Sequence, residues 1–249
     1  MAQIISLHSF RGGTGKSNTT ANLATLLAGE GRRVGVIDTD IQSPGIHVLF
    51  GLRGPQITHA LNDYLWGRCS VADIARPVLQ DVLPDRLFLI PSSIKADDIV
   101  QVIRQGYDVR RLTMAFRELI DHLHLDVLLI DTHPGLNEET LFALAISTTL
   151  VIVLRPDQQD YEGTGVAVEV ARSLEVPRLV LVVNKNPPDF DERALAERVA
   201  QIYQCPVAAV LPHSDEMMKL ASEGIFALRY PGHPLTARLR ELAAQLVAP

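Results

Sequence analysis

The chain of 249 residues is 47% apolar and 21% charged, a size and balance suited to one α/β domain with a full hydrophobic core. No apolar run approaches the roughly 20 residues of a bilayer-spanning helix, and no basic segment precedes an apolar one at the N-terminus, so a cytoplasmic protein is expected. A net charge of −6 excludes a surface that is basic all over, although a local basic patch remains compatible with it. Two cysteines, Cys69 and Cys205, lie far apart and outside any CxxC, which excludes a disulfide framework, a structural zinc site and a self-contained iron–sulfur site.

Short β-rich apolar runs alternate with helical stretches along the chain. Strands are expected at 3–8, 33–38, 86–90, 126–131, 149–154, 178–183 and 207–211, and helices at 17–29, 96–105, 109–123, 138–146, 161–174, 191–203 and 215–223. In 109–123, Val109, Leu112, Phe116, Leu119, Ile120 and Leu123 recur at helical spacing, with Arg110, Arg111, Arg117 and Asp121 on the other side. The alternation predicts a three-layer α/β domain over 1–249, a mostly parallel sheet of about seven strands with helices on both faces. The stretch 41–84 is the least periodic, with glycines and prolines marking turns around an apolar segment at 60–66.

The first strand runs into Phe10-Arg11-Gly12-Gly13-Thr14-Gly15-Lys16-Ser17, and a helix follows at once. Phe10 stands where the ordinary P-loop pattern asks for glycine, so the plain pattern fails, but the physical requirements are met. Gly12, Gly13 and Gly15 let the backbone turn and bring N–H groups close to phosphate oxygens, and the helix N-terminus adds free donors and partial positive charge. Lys16 is then expected to reach the β- and γ-phosphates and the Ser17 hydroxyl to ligate Mg²⁺. Thr14 and Asn18 belong to the same cradle. Asp38 and Asp131 each end an apolar strand, where α/β sheets bind ligands.

With these residues the chain resembles the deviant Walker A ATPases of the MinD/ParA superfamily, whose loop reads K-G-G-x-G-K-[ST]. The likeness continues through Val34-Gly35-Val36-Ile37-Asp38-Thr39-Asp40, through Leu128-Leu129-Ile130-Asp131-Thr132-His133-Pro134-Gly135 as a Walker B strand and switch, and through Val182-Val183-Asn184-Lys185 and Val210-Leu211-Pro212. The resemblance implies a SIMIBI-type P-loop NTPase fold with ATP and Mg²⁺ as cofactors. It implies that Asp131 joins Ser17 in the Mg²⁺ shell, with Asp38 in that shell or orienting the attacking water. Asp40 either shares the water-placing role or only caps its loop. It further implies that the Gly135 N–H approaches the γ-phosphate, that Asn184 and Lys185 contact adenine, and that Pro212 closes over the base. Arg11 departs from the family's signature lysine. Either it crosses to the phosphates of a partner subunit as an arginine finger or that contact is lost. His133 reads as a loop residue or a water contact, and the polar stretch 155–163 as a dimer face or a solvated loop with a helix cap.

The implied activity is an ATP-dependent homodimerisation switch that hydrolyses ATP slowly, is stimulated by an activator or adaptor protein, and positions or partitions a cellular cargo. A nucleotide-binding scaffold with little turnover and an ATP-dependent metabolic ligase of the same fold are the alternatives. Nonspecific DNA binding rests on Arg229, Arg238 and Arg240 lying beside Arg104, Arg110 and Arg111; the C-terminal stretch 235–249 lacks the basic, bulky character of a membrane-anchoring helix.

Overall fold

The computed structural model describes residues 2–248; Met1 and Pro249, the two ends of the expected domain, lie outside the described residues. Its strands are β1 (Gln3–His8), β2 (Val34–Asp38), β3 (Arg76–Pro77), β4 (Leu87–Ile90), β5 (Val127–Asp131), β6 (Thr149–Leu154), β7 (Arg178–Asn186) and β8 (Val207–Pro212). They form one sheet in the order β3-β4-β2-β5-β1-β6-β7-β8, parallel throughout except for β3. About seven strands are expected from the apolar runs alone. The eighth, β3, pairs antiparallel with β4 through two residues only, too few for an alternating pattern, and its Pro77 suits an edge position.

The helices are α1 (Lys16–Gly29), α2 (Ile46–Leu49), α3 (Leu61–Leu65), α4 (Val71–Ile74), α5 (Ala96–Gln105), α6 (Val109–Leu123), α7 (Glu138–Ile146), α8 (Gln158–Ser173), α9 (Glu192–Tyr203), α10 (Asp215–Leu220), α11 (Phe226–Arg229) and α12 (Pro234–Leu246). The aperiodic stretch 41–84 thus holds three short α-helices and the edge strand, each shorter than the window in which a helical period shows.

Strands buried on both faces read as continuous apolar runs because both sides are covered. Val34, Val36, Val127, Leu129, Val151 and Val180 point to the layer containing α1 and α12. Alternate residues point the other way. Ile37, Leu128 and Ile130 meet α6, and Leu150, Ile152 and Leu181 meet α8 and α9. This division places α6 and α12 on opposite faces of the sheet. Arg110 and Arg111 on α6 and Arg238 and Arg240 on α12 therefore do not join in the single basic patch expected from the sequence, and Arg238 is paired with Glu192 at 2.8 Å.

The order also fixes where a ligand goes. The chain leaves β1 for β2 on one side, and later passes from β5 to β6 on the other, so a crevice opens at the carboxyl ends of β1, β2 and β5. Strand β2 reaches this position with a glycine inside it. A Cβ on Gly35 would stand 2.6 Å from Leu125 Cδ1 and 3.1 Å from Leu128 Cδ1, so the missing side chain lets both leucines close over the strand. Gly35→Ala is expected to cost about 1–3 kcal/mol in urea unfolding. A Leu125→Ala change in the same chain should recover part of that loss, and strictly additive costs would refute this packing account.

Candidate functional site

The loop between β1 and α1 is built for an anion. Gly13 and Gly15 have φ of 81° and 92°, a region that side chains rarely adopt, and Gly15 serves as the N-cap of α1 with no side-chain cap. The first-turn N–H groups are therefore left for a ligand. Gly12 and Gly13 face open space, but a Cβ on Gly15 would stand 2.3 Å from the Asn184 amide nitrogen, so that close approach requires glycine.

The loop is braced from β7. Asn184 Nδ2 donates to the Thr14 carbonyl at 2.7 Å, and Lys185 Nζ donates to the Gly13 carbonyl at 2.8 Å. Lys185 sits at φ 59°, beside a register irregularity in the β7–β8 ladder, and this bend turns it toward the loop. The Asn184 carbonyl oxygen accepts the Lys185 N–H at 2.9 Å. Both residues thus line the cleft expected for a base, but their polar ends are spent on the phosphate loop. That cleft has a volume of about 320 Å³, within the range of small-molecule sites, and is also walled by Gly15, Asn18, Asn22, Pro212, Ser214 and Met217. Phe10, in place of the usual glycine, packs over Gly163 of α8, where a Cβ would overlap its ring.

Asp38 and Asp131 end the neighbouring strands β2 and β5 and stand opposite each other in register. Lys16 Nζ donates to Asp131 Oδ1 at 2.7 Å, and the Thr20 hydroxyl reaches the same oxygen at 3.2 Å. Asp38 is fully buried. It accepts the Asp40 N–H at 3.0 Å and the Gly45 N–H at 3.3 Å, and burial first, then the adjacent Asp131 charge, raise its carboxyl well above the usual carboxylate range. Ser17 is half-buried at the start of α1. Hydroxyl and carboxylate oxygens form a hard donor set that suits Mg²⁺. Among the described residues no cluster of three or more His, Cys, Asp or Glu is grouped to hold a metal ion.

Both loops beyond these strands are tied down. Asp40 Oδ1 lies 2.6 Å from His133 Nδ1, and Gly135, at φ 87°, donates its N–H to the Ser9 carbonyl at 3.1 Å. The Gly135 N–H expected at the γ-phosphate is therefore engaged with the backbone just ahead of the phosphate loop. Arg11 points to its own chain, with Nη1 at 3.5 Å from Asp160 and 3.9 Å from Asp157. Asp157 caps α8 and Arg155 closes on Asp160 at 3.2 Å, so the polar stretch 155–163 is an anchored cluster in this structure. Asp160, Thr20, His8 and the bracing role of Asn184 carry no motif of their own. Only the position of Asp160 three residues after the cap residue Asp157 marks it.

His8, at the end of β1, is buried. The Thr132 hydroxyl donates to the Leu7 carbonyl at 3.0 Å and so accepts from His8 Nδ1 at 3.0 Å, which leaves Nε2 as a bare acceptor with no partner among the described residues. Burial first, then the Lys16 and His133 charges, push His8 down to about 3 from its ordinary 6.5. The folded chain keeps His8 neutral while the unfolded chain protonates it below 6.5, so folding stability falls as pH drops from there toward 3. Between about pH 7 and about pH 5.5 this amounts to about 1 kcal/mol. Urea unfolding at the two pH values should show that much less loss in His8→Gln than in the wild type; equal losses would refute the assignment.

Comparison with known proteins agrees with this geometry. The model of the ParA family described as NUBPL iron-transfer P-loop NTPase matches residues 1–247. An uncharacterized ATP-binding protein of Methanocaldococcus jannaschii is 27% identical over 99% of this chain and 88% of its own length. The septum site-determining protein MinD of Bacillus subtilis is 25% identical over 99% of this chain and 90% of its own length. The structure of MinD from Pyrococcus horikoshii, complexed with Mg-ADP, shares the fold with a TM-score of 0.85 at 24% identity, covering 99% of this chain and 96% of that one. The phosphate loop, the paired strand-end carboxylates and a family match over nearly the whole chain make this protein a P-loop NTPase of the ParA family, within the MinD/ParA superfamily.

Proposed function

We propose that this chain is an ATP-dependent dimerisation switch that hydrolyses ATP slowly and positions or partitions a cellular cargo together with an activating partner protein. The observation that carries the reading is the buried contact of Lys16 with Asp131 at 2.7 Å, which closes the cation of the phosphate loop on a carboxylate of the adjacent strand. A triphosphate offers Lys16 a replacement partner and frees Asp131 for a cation shell. In this reading Gly12, Gly13, Thr14, Gly15, Lys16, Ser17 and Asn18 hold the phosphates. Ser17, Asp131 and Asp38 hold Mg²⁺, which when bound neutralises charge on the transferring phosphoryl group. Asp38 and Asp40 orient water. Pro212 and Lys185 border the base, and Gly135 exchanges the Ser9 carbonyl for phosphate. Arg11 leaves Asp160 and Asp157 to meet the phosphates of a second copy, where its planar fork suits two oxygens.

An iron-transfer role, which the family description names, gains no support from the thiols. Cys69 packs with the cluster around α6 and Cys205 with the cluster around α8 and α9, so they belong to separate parts of the core. Burial raises each thiol to about 11.

Lys16→Ala is expected to weaken Mg-ATP binding at least about 10-fold, equivalent to about 1.4 kcal/mol, in calorimetry. Arg11→Ala should bind nucleotide normally yet remain a monomer with ATP, and Arg11→Lys should dimerise. Sedimentation of the wild type with ATP and with ADP tests the switch itself, and equal mass in both states would remove it. Wild-type turnover that Asp38→Ala abolishes separates a switch from a scaffold, and turnover only with an added metabolite would favour a ligase.

A further inference from the structure

The loops that follow β2 and β5 come from distant parts of the sequence; where they leave the sheet Thr39 donates its N–H and hydroxyl to the Asp131 carbonyl at 3.0 and 3.2 Å, and further out a side-chain contact joins them. His133 Nδ1 lies 2.6 Å from Asp40 Oδ1, and the two side chains are 25% and 14% exposed. Asp40 is fixed from its own loop as well. Its Oδ1 accepts the Ser43 N–H at 3.0 Å, and its N–H donates to Asp38 Oδ1 at 3.0 Å. On the other side, the His133 carbonyl accepts the Thr140 hydroxyl at 3.2 Å in the first turn of α7. A continuous path of hydrogen bonds thus runs from the buried Asp38, through Asp40 and His133, to α7.

The detail that gives this path a chemical direction is the use of the Asp40 oxygens. Both side-chain bonds fall on Oδ1, and among the described residues Oδ2 accepts none. A carboxylate held by one oxygen presents the other as an oriented acceptor, which is what placing a water requires. Without His133, Asp40 would keep only local bonds within a turn of its own loop, and the loop after β5 would lose its side-chain link to it.

We propose that His133 is a positioning residue: it fixes Asp40 so that the loops after β2 and β5 take one joint arrangement, with Asp40 Oδ2 available to the attacking water. The inference rests on the hydrolytic reading above. A histidine that merely fills the loop would leave Asp40 indifferent to its replacement.

The test compares wild type, His133→Leu and His133→Asn, the last keeping an N–H donor close to the Nδ1 position. In His133→Leu, kcat for Mg-ATP is expected to fall about 10- to 100-fold with KM changed less than about 2-fold, and His133→Asn should restore most of it. In the nucleotide-free protein, amide exchange at Ser43 should quicken in His133→Leu and stay at the wild-type rate in His133→Asn. Should His133→Leu fail to fold, His133→Gln, whose amide reaches the Nε2 position instead, takes its place with the same expectation. Unchanged kcat, a loss that asparagine does not restore, or unchanged Ser43 exchange would each overturn the proposal. A wild type that binds Mg-ATP without turning it over removes the hydrolytic reading, and with it the water-placing part; Ser43 exchange then decides whether His133 fixes Asp40.

Discussion

Lys16 and Asp131 meet at 2.7 Å with side chains 7% and 2% exposed, and the rest of the site is arranged around this contact. Taking two ions out of water costs several kcal/mol each, and their attraction offsets that cost only when geometry and further hydrogen bonds are good. Here the Thr20 hydroxyl shares its proton between the Lys16 carbonyl at 3.0 Å and Asp131 at 3.2 Å. A lone lysine or a lone carboxylate at this depth would be a stranded charge. The pair solves the problem for the nucleotide-free chain, and in the proposed reading a phosphate tail with its cation would solve it again by giving each member a new partner. Exchange of partners, with no charge left unpaired at either end, is the physical basis of the proposed change of state.

Burial first, and then the adjacent Asp131 charge, explain why Asp38 is so unlike an ordinary carboxylate. It lies between strands at full burial, beside Asp131 and near Asp40, with Lys16 as the opposing charge close by. Its two oxygens accept backbone N–H groups of the loop it begins, so this buried acid also folds the loop. In the proposed switch these few polar bonds carry the response to the phosphates, since the strands beneath are packed in apolar layers on both sides and offer little freedom.

The phosphate loop, the strands ending in Asp38 and Asp131, and the parallel sheet were legible because each is a local pattern: glycines at fixed offsets before a helix, or an apolar run ended by an acid. The partners were not. Asn184 bracing Thr14, Arg11 resting on Asp160 and His133 meeting Asp40 depend on which strand ends lie side by side, and the strand order β2-β5-β1-β6-β7 is not written in any one segment. Asn184 illustrates the limit. Its motif position implies a contact with adenine; the structure puts it in the cleft wall with its side-chain amide donating to the Thr14 carbonyl, a bond that depends on the glycine at 15 beside it. Strand β3 escaped notice for a simpler reason, because two residues cannot display a period.

Arg11 shows how tightly such a resting arrangement has to be drawn. Its contacts with Asp160 and Asp157, at 3.5 and 3.9 Å, are longer than hydrogen bonds, and its side chain is 39% exposed. The contact with the exposed Asp157 is of the kind worth about 0–1 kcal/mol, the one with the buried Asp160 is screened by solvent only at its Arg11 end, and a charge-assisted hydrogen bond to a phosphate oxygen is about twice as strong as a neutral one, with a guanidinium able to make two. The stronger hold on Asp160 belongs to Arg155, through the backbone N–H at 2.9 Å and Nε at 3.2 Å. Asp160 therefore keeps a partner on Oδ2 when Arg11 departs, while its buried Oδ1 loses the cation beside it. The arrangement orients the arginine of the phosphate loop and leaves Arg155 to hold Asp160 on its release.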